Sequence, residues 1–191
     1  MRANPNSSPT AAKPTIVALT GFMAAGKSTV ARALGASLRW NCFDLDLEIE
    51  RREKAAVREI FERRGEAHFR QVETEVLETI LSQAAGPTVI ALGGGTFVQP
   101  ESVQLLRRHK ALVVFLEVDV ELLLERCHNA ASRYPENPRP LAGDPVAFRA
   151  LYTQRLPLYR QAHITVTTEG SNIEKTARAI VAALHLTAAT R

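Results

Sequence analysis

The chain has 191 residues, 46% of them hydrophobic and 23% charged, which fits one domain and is cramped for two. A chain of this length buries about 70% of the surface exposed when unfolded, so it needs no disulfide or structural metal to hold a core. The formal charge is +4 and only 6% of residues are aromatic, a balance that suits small anions at least as well as nucleic acid, whose binders need stacking platforms. Cys42 and Cys127 stand far apart and form neither a C-x-x-C pair nor a metal quartet, so a reducing cytoplasm is the expected setting. No apolar run reaches the roughly 20 residues of a membrane span, and the polar start MRANPNSSPTAAKP lacks a signal-like apolar stretch.

Residues 1–14 read as a disordered tail, 15–187 as one domain and 188–191 as a second loose tail. Thr15 to Thr20, TIVALT, is a short apolar, β-branched run that predicts a buried first strand. A helix follows it, since Val30, Ala31, Leu34 and Leu38 recur at helical spacing. Trp40 to Phe43 is a weaker strand, and Val89 to Leu92, Leu112 to Val118 and Ile164 to Thr167 are three further buried ones. Glu66 to Gln83 carries the clearest helical stripe, in Phe69, Val72, Val76, Leu77, Ile80 and Leu81. Helices are also expected over Ser102 to Arg108, Val120 to Cys127, Pro145 to Tyr159 and Ile173 to Leu186. This alternation predicts an α/β fold with a parallel sheet covered on both faces and ligands at the strands' C-terminal ends.

Gly21 to Ser28 read GFMAAGKS, an ungapped G-x-x-x-x-G-K-[ST] between an apolar strand and an amphipathic helix, the context a nucleotide phosphate loop requires. Backbone N–H groups there surround phosphate oxygens, Lys27 reaches the β and γ phosphates, and the Ser28 hydroxyl is placed for Mg²⁺. The motif is silent on what receives the phosphoryl group.

Acceptor candidates come from four places. Asp44 and Asp46 follow the second strand; one can hold Mg²⁺ and the other can orient an attacking hydroxyl, or both can cap a helix N-terminus. Glu48 and Glu50 are expected to face solvent. Arg70 and Glu73 lie three apart, either as a fork on a ligand carboxylate or as a surface ion pair. Gly93, Gly94 and Gly95 form either a loop for close ligand approach or a simple tight turn. Proline and glycine density from Pro135 to Pro145 marks a lid spanning about residues 129–145, where Arg139 is placed to supply charge to the transition state. Of the other late arginines, Arg155 is a candidate for an acidic acceptor and Arg133 has no assigned role. Arg107, Arg108, Arg126 and Arg149 are assigned to solvated helix faces.

GFMAAGKST at Gly21, FDLDLEIE at Phe43, VREIFERRGEAHFRQVE at Val57, ALGGGTF at Ala91, RPL at Arg139 and RLPLY at Arg155, in that order, resemble shikimate kinase over most of Thr15 to Glu169. The resemblance implies a P-loop, nucleoside-monophosphate-kinase-like three-layer α/β sandwich with a five-stranded parallel sheet. It also implies transfer of the γ-phosphoryl group of ATP to the 3-hydroxyl of shikimate, with Mg²⁺ as cofactor, in an enzyme that is usually monomeric; the cysteines, the scarce aromatics and the short apolar runs add the expectation of a cytoplasmic protein that binds neither nucleic acid nor membrane. Carried over by motif, Gly21, Ala24, Ala25, Gly26, Lys27, Ser28, Thr29 and Arg139 bind nucleotide, and Ser28 and Asp44 hold the metal. Asp46, Arg70, Gly93, Gly94, Gly95 and Arg155 bind the acceptor within a subregion of about 44–83 and its neighbours; Asp46, Lys27 and Arg139 are catalytic. Glu73 orients Arg70.

Two departures stand out. Ala24 replaces a usual glycine, which is tolerable if its φ stays negative. Ser132 stands where a second lid arginine is usual, so the adenine contacts are unassigned. A gluconate-type kinase of the same fold is the nearest rival, disfavoured by two arginines suited to a carboxylate. A nucleotide-sensing module is disfavoured by the complete set Lys27, Asp46 and Arg139, and a helicase-like ATPase by size and scarce aromatics.

Overall fold

In a computed structural model, which describes residues 16–133, 143–168 and 172–189, five short parallel strands form one sheet in the order β2-β3-β1-β4-β5. β1 (Ile16–Thr20) lies at the centre, between β3 (Thr88–Ala91) and β4 (Leu112–Glu117), and is buried along its whole length, as is β3. Strands covered on both faces have no polar face to present, which explains their continuous apolar runs. The edge strands β2 (Asn41–Asp44) and β5 (Ile164–Thr167) are only partly covered and correspondingly more polar.

Helices α1 (Lys27–Leu38), α2 (Leu45–Glu53), α3 (Val57–Gln83), α4 (Pro100–Arg108), α5 (Val120–Arg133), α6 (Pro145–Tyr159) and α7 (Ile173–Ala189) sandwich the sheet. The stripe expected on α3 is buried at all six positions. Two differences from the sequence reading concern this region. α2 carries only two buried side chains, Leu45 and Ile49, too few to register as a periodic pattern. A further helical stretch, residues 57–64, precedes the helix expected from Glu66 and is joined to it at Gly65, whose φ of 78° and ψ of 172° are non-helical and suit only glycine.

α5 runs to Arg133 and so takes in residues 129–133, the start of the expected lid; residues 134–142, including Arg139, lie outside those described. α7 continues to Ala189, making 188 and 189 helical rather than part of a tail, in keeping with the high helix propensity of alanine. Residues 1–14, the expected N-terminal tail, also lie outside the described residues.

Aromatic packing ties the phosphate loop to α6. Phe22, 1% exposed, meets Phe148 and Tyr152 edge-on with centroids 5.0 and 5.4 Å away, and Tyr159 stacks on Phe115 of β4 at 5.3 Å. Full burial of a side chain the size of Phe22 contributes about 2–3 kcal/mol, so the loop rests on a rigid floor. Neither cysteine is in a disulfide, Cys42 being exposed and Cys127 buried, and no described helix is long and apolar enough to cross a membrane.

Candidate active site

A cleft of about 1350 Å³ opens where β1, β2 and β3 end, with the phosphate loop on one wall and α2, α3 and the triple-glycine loop on the other. β1 delivers the chain into Gly21, whose φ of 146° and close fit leave no room for a side chain, since a Cβ would sit 2.9 Å from the Leu116 carbonyl oxygen. α1 then starts just after Gly26, its N-cap residue, with no side-chain cap and no acid in its first turn. Its orphan N–H groups and positive dipole end therefore face the cleft uncompensated, ready for an anion. The Lys27 ammonium arches back over the loop, donating to the Gly21 and Phe22 carbonyls at 2.9 and 3.0 Å. Ser28 and Thr29 line the same wall.

Ala24 departs from expectation. Its φ is +61°, so the loop reverses through the left-handed region even without a glycine, at a cost of about 1–2 kcal/mol for a residue with a Cβ. Its methyl packs against the core, and its carbonyl accepts a hydrogen bond from Nη1 of Arg126 at 3.3 Å. Arg126 is thus a lining residue of the cleft, not a solvated decoration of α5. It flanks the buried positions Leu123 and Cys127, and that border position was the only sign of it in the sequence.

On the opposite wall, Asp44 ends β2 and caps α2, its Oδ1 accepting from the Leu47 N–H at 3.5 Å. The capping alternative therefore holds for Asp44, which lines the cleft as well. Asp46, in the first turn of α2, lies at the cleft floor. Burial pushes its carboxyl up to about 6, an effect opposed by Lys27 and reinforced by Asp44, Glu73 and Glu50. Glu50 is not a solvent-facing residue: it accepts the Val57 N–H at 2.9 Å and so fixes the start of α3. Glu48 pairs with Arg51.

The surface ion-pair alternative for Arg70 and Glu73 fails on burial, because Glu73 is 1% exposed although Arg70 reaches the cleft. Arg70 Nη1 donates to Glu73 Oε2 at 2.7 Å, and its other nitrogens meet Glu66 at 3.2 and 3.3 Å. Burial works against the guanidinium charge, yet Glu73 and Glu66 more than compensate and hold its pKa above the ordinary value. Arg155, from α6, comes to the other side of the triple-glycine loop and donates to the Gly94 carbonyl at 3.4 Å. Tyr159, one turn further, donates to the same carbonyl, and burial pushes its phenol up to about 12. Two of the three glycines are needed for space: a Cβ on Gly93 would lie 2.8 Å from Asp46 Oδ1, and one on Gly95 would lie 2.6 Å from Arg70 Nη2. An idle tight turn would show neither conflict.

Ser28 and Asp44 give a hydroxyl and a carboxylate on facing sides of the phosphate end. Among the described residues no three His, Cys, Asp or Glu groups gather into a metal cage. This sparse, all-oxygen donor set fits Mg²⁺, which keeps several waters and shares ligands with phosphates.

A family model for shikimate kinase matches residues 23–185. The chain belongs to the shikimate kinase family. A shikimate kinase from Thermus thermophilus is 40% identical over 169 residues, covering 87% of this chain and 88% of its relative. The solved shikimate kinase from Acinetobacter baumannii in complex with shikimate superposes with a TM-score of 0.80 at 34% identity, over 91% of this chain and 94% of that one. A gluconokinase from Sinorhizobium meliloti reaches a TM-score of 0.60 at 17% identity, over 93% of this chain and 95% of its own, a likeness of fold alone. The family assignment and the sandwich fold both agree with what the motif order implied. Membership of this family also sets the gluconate-type rival aside.

Proposed function

We propose that this chain transfers the γ-phosphoryl group of ATP to the 3-hydroxyl of shikimate, giving ADP and shikimate 3-phosphate on the way to chorismate and the aromatic amino acids. The supporting observation is that two arginines, Arg70 and Arg155, flank the Gly93–Gly95 loop beside Asp46, in the same cleft that exposes Lys27 and the α1 N-terminus. A small polyol acid fits that arrangement, with its carboxylate between the guanidinium groups and its alcohol at Asp46.

The α1 N-terminus and the backbone from Gly21 to Thr29, including Ala24, Ala25 and Gly26, cradle the phosphates. Lys27 exchanges its loop carbonyls for phosphoryl oxygens, neutralising charge that spreads over them as transfer proceeds. Asp46 accepts the hydrogen bond of the attacking hydroxyl, aims the oxygen in line and takes its proton, a role open to it once it is ionised. Gly93, Gly94 and Gly95 let the acceptor ring approach the backbone. Ser28 and Asp44 hold Mg²⁺, which when bound neutralises phosphate charge. Arg139, outside the described residues, steadies the transferring group by resemblance to the family, within a lid of about residues 129–145. On this proposal the protein works as a cytoplasmic monomer, with ATP and shikimate as its partners.

A coupled ADP-release assay offering shikimate, gluconate and nucleoside monophosphates side by side tests the proposal. Turnover with shikimate alone is expected. Turnover that prefers gluconate or a nucleotide, or none with shikimate, overturns it.

A further inference from the structure

The geometry points to Thr96 as a positioning residue that sets the Arg70 guanidinium for the acceptor's carboxylate by holding Glu73 from behind. Thr96 is fully buried at the first residue of a 3₁₀ turn (Thr96–Val98) that follows the triple-glycine loop, with its N–H on the Gly93 carbonyl at 3.3 Å. Its hydroxyl donates to Glu73 Oε1 at 2.6 Å, while Arg70 Nη1 takes Oε2 at 2.7 Å. A carboxylate removed from water needs both oxygens satisfied, and these two donors supply one each. Glu66 also meets Arg70, but at 66% side-chain exposure it is free to leave. Glu73 is therefore the fixed anchor, and Thr96 fixes Glu73.

The crowding above Gly93 shows why a hydroxyl matters at this position. Asp46 Oδ1, Thr96 Oγ1 and Glu73 Oε1 all fall within 3.0 Å of the point a Gly93 Cβ would occupy. Two of those three oxygens belong to carboxylates, and Thr96 is the donor among them. Without it, Glu73 Oε1 loses this hydrogen bond while still facing Asp46 Oδ1. The carboxylate then gains by turning both oxygens onto Arg70, which draws the guanidinium away from Gly95 and from the acceptor. A β-branched side chain suits the task, because its χ1 is stiff.

The inference rests on Arg70 anchoring the acceptor, and its test separates the two ideas. Thr96→Val keeps the shape and removes the donor; Thr96→Ser keeps the donor. Thr96→Val is expected to raise the shikimate KM by about 10- to 100-fold, as befits a hydrogen bond to a charged group, with the ATP KM unchanged and Thr96→Ser close to the parent. In a Glu73→Gln background the same substitution is expected to change the shikimate KM by less than about threefold, since neighbours that act through each other are not additive. If Thr96→Val fails to fold, Thr96→Ala, which fits any space threonine fills, provides the same comparison. A readout without substrate is the ¹⁵Nη spectrum of Arg70, with resolved resonances expected in the parent and averaged ones in Thr96→Val. A parent inactive on shikimate would sink the functional proposal and leave this spectrum to decide on Thr96. An unchanged shikimate KM in an active Thr96→Val enzyme, full additivity with Glu73→Gln, or an unchanged Arg70 spectrum would overturn the role of Thr96.

Discussion

Replacing Asp46 by asparagine should make the protein more stable and, at the same time, inactive. The carboxyl is raised from 3.8 to about 6 chiefly by burial, and at about 1.4 kcal/mol per tenfold change in proton affinity its ionised form costs about 3 kcal/mol. The side chain lines an open cleft rather than a closed core, so a discounted figure of about 1–2 kcal/mol is the one to test. The sign follows from linkage. The folded chain releases this proton near pH 6 and the unfolded chain near 3.8, so between those values folding takes up a proton. Stability from this group falls as pH rises through the window, and the full cost stands above pH 6. Asparagine carries no such cost. Urea unfolding without nucleotide or metal should therefore find Asp46→Asn more stable than the parent by about 1–2 kcal/mol at about pH 8, with the gap closing by about pH 4. ATP affinity should stay within about threefold while phosphoryl transfer falls by about 10²–10⁴, the usual contribution of a positioned base. A gap that ignores pH, or a variant less stable than the parent at the alkaline end, would refute the electrostatic reasoning; normal turnover would refute the catalytic role.

Three further outcomes are expected. Arg70→Ala should raise the shikimate KM by about 100-fold or more with little change for ATP, through loss of a charge-assisted contact. It should also cost about 3 kcal/mol in urea unfolding, because Glu73 loses its cation in a buried site; equal changes in both KM values would make Arg70 a framework residue instead. Gly95→Ala places a methyl against a flexible guanidinium tip rather than backbone. Its unfolding free energy should therefore move by only about 1 kcal/mol, while the shikimate KM rises at least about tenfold; an unchanged KM would show that the guanidinium need not lie over Gly95. Ala24→Gly should relieve the left-handed strain at φ +61° and, after the entropy of glycine is subtracted, stabilise the fold by about 0.5–1 kcal/mol with kinetics intact; a lower melting temperature would mean that chain entropy outweighs the strain.

Much of this architecture is decided by short-range chemistry and so could be read from the sequence. β1, the phosphate loop and α1 are contiguous, and each is specified by neighbours a few residues away: an apolar run, glycines at φ of 146° and 89°, then a helical stripe. The same holds for the α3 stripe and for the triple-glycine loop at the end of β3. Motif order sufficed for the family because several specific segments had to occur in one succession.

Depth and partnership, by contrast, come from packing between distant segments. Periodicity assigns Glu73 to a helix face, but its 1% exposure follows from how α3 packs, and that burial turns an apparent surface pair into an anchor. Arg126 reaches a carbonyl 102 residues earlier, Thr96 a carboxylate 23 residues earlier, and Glu50 the first N–H of the next helix. Each such contact closes a loop of chain whose entropy is repaid only by the assembled core, so no local pattern can announce it. Which chemical groups are present, and which elements carry them, follows from the order of residues alone. Which of those groups share one cleft, and with what charge, was decided when the strands stacked in the order β2-β3-β1-β4-β5.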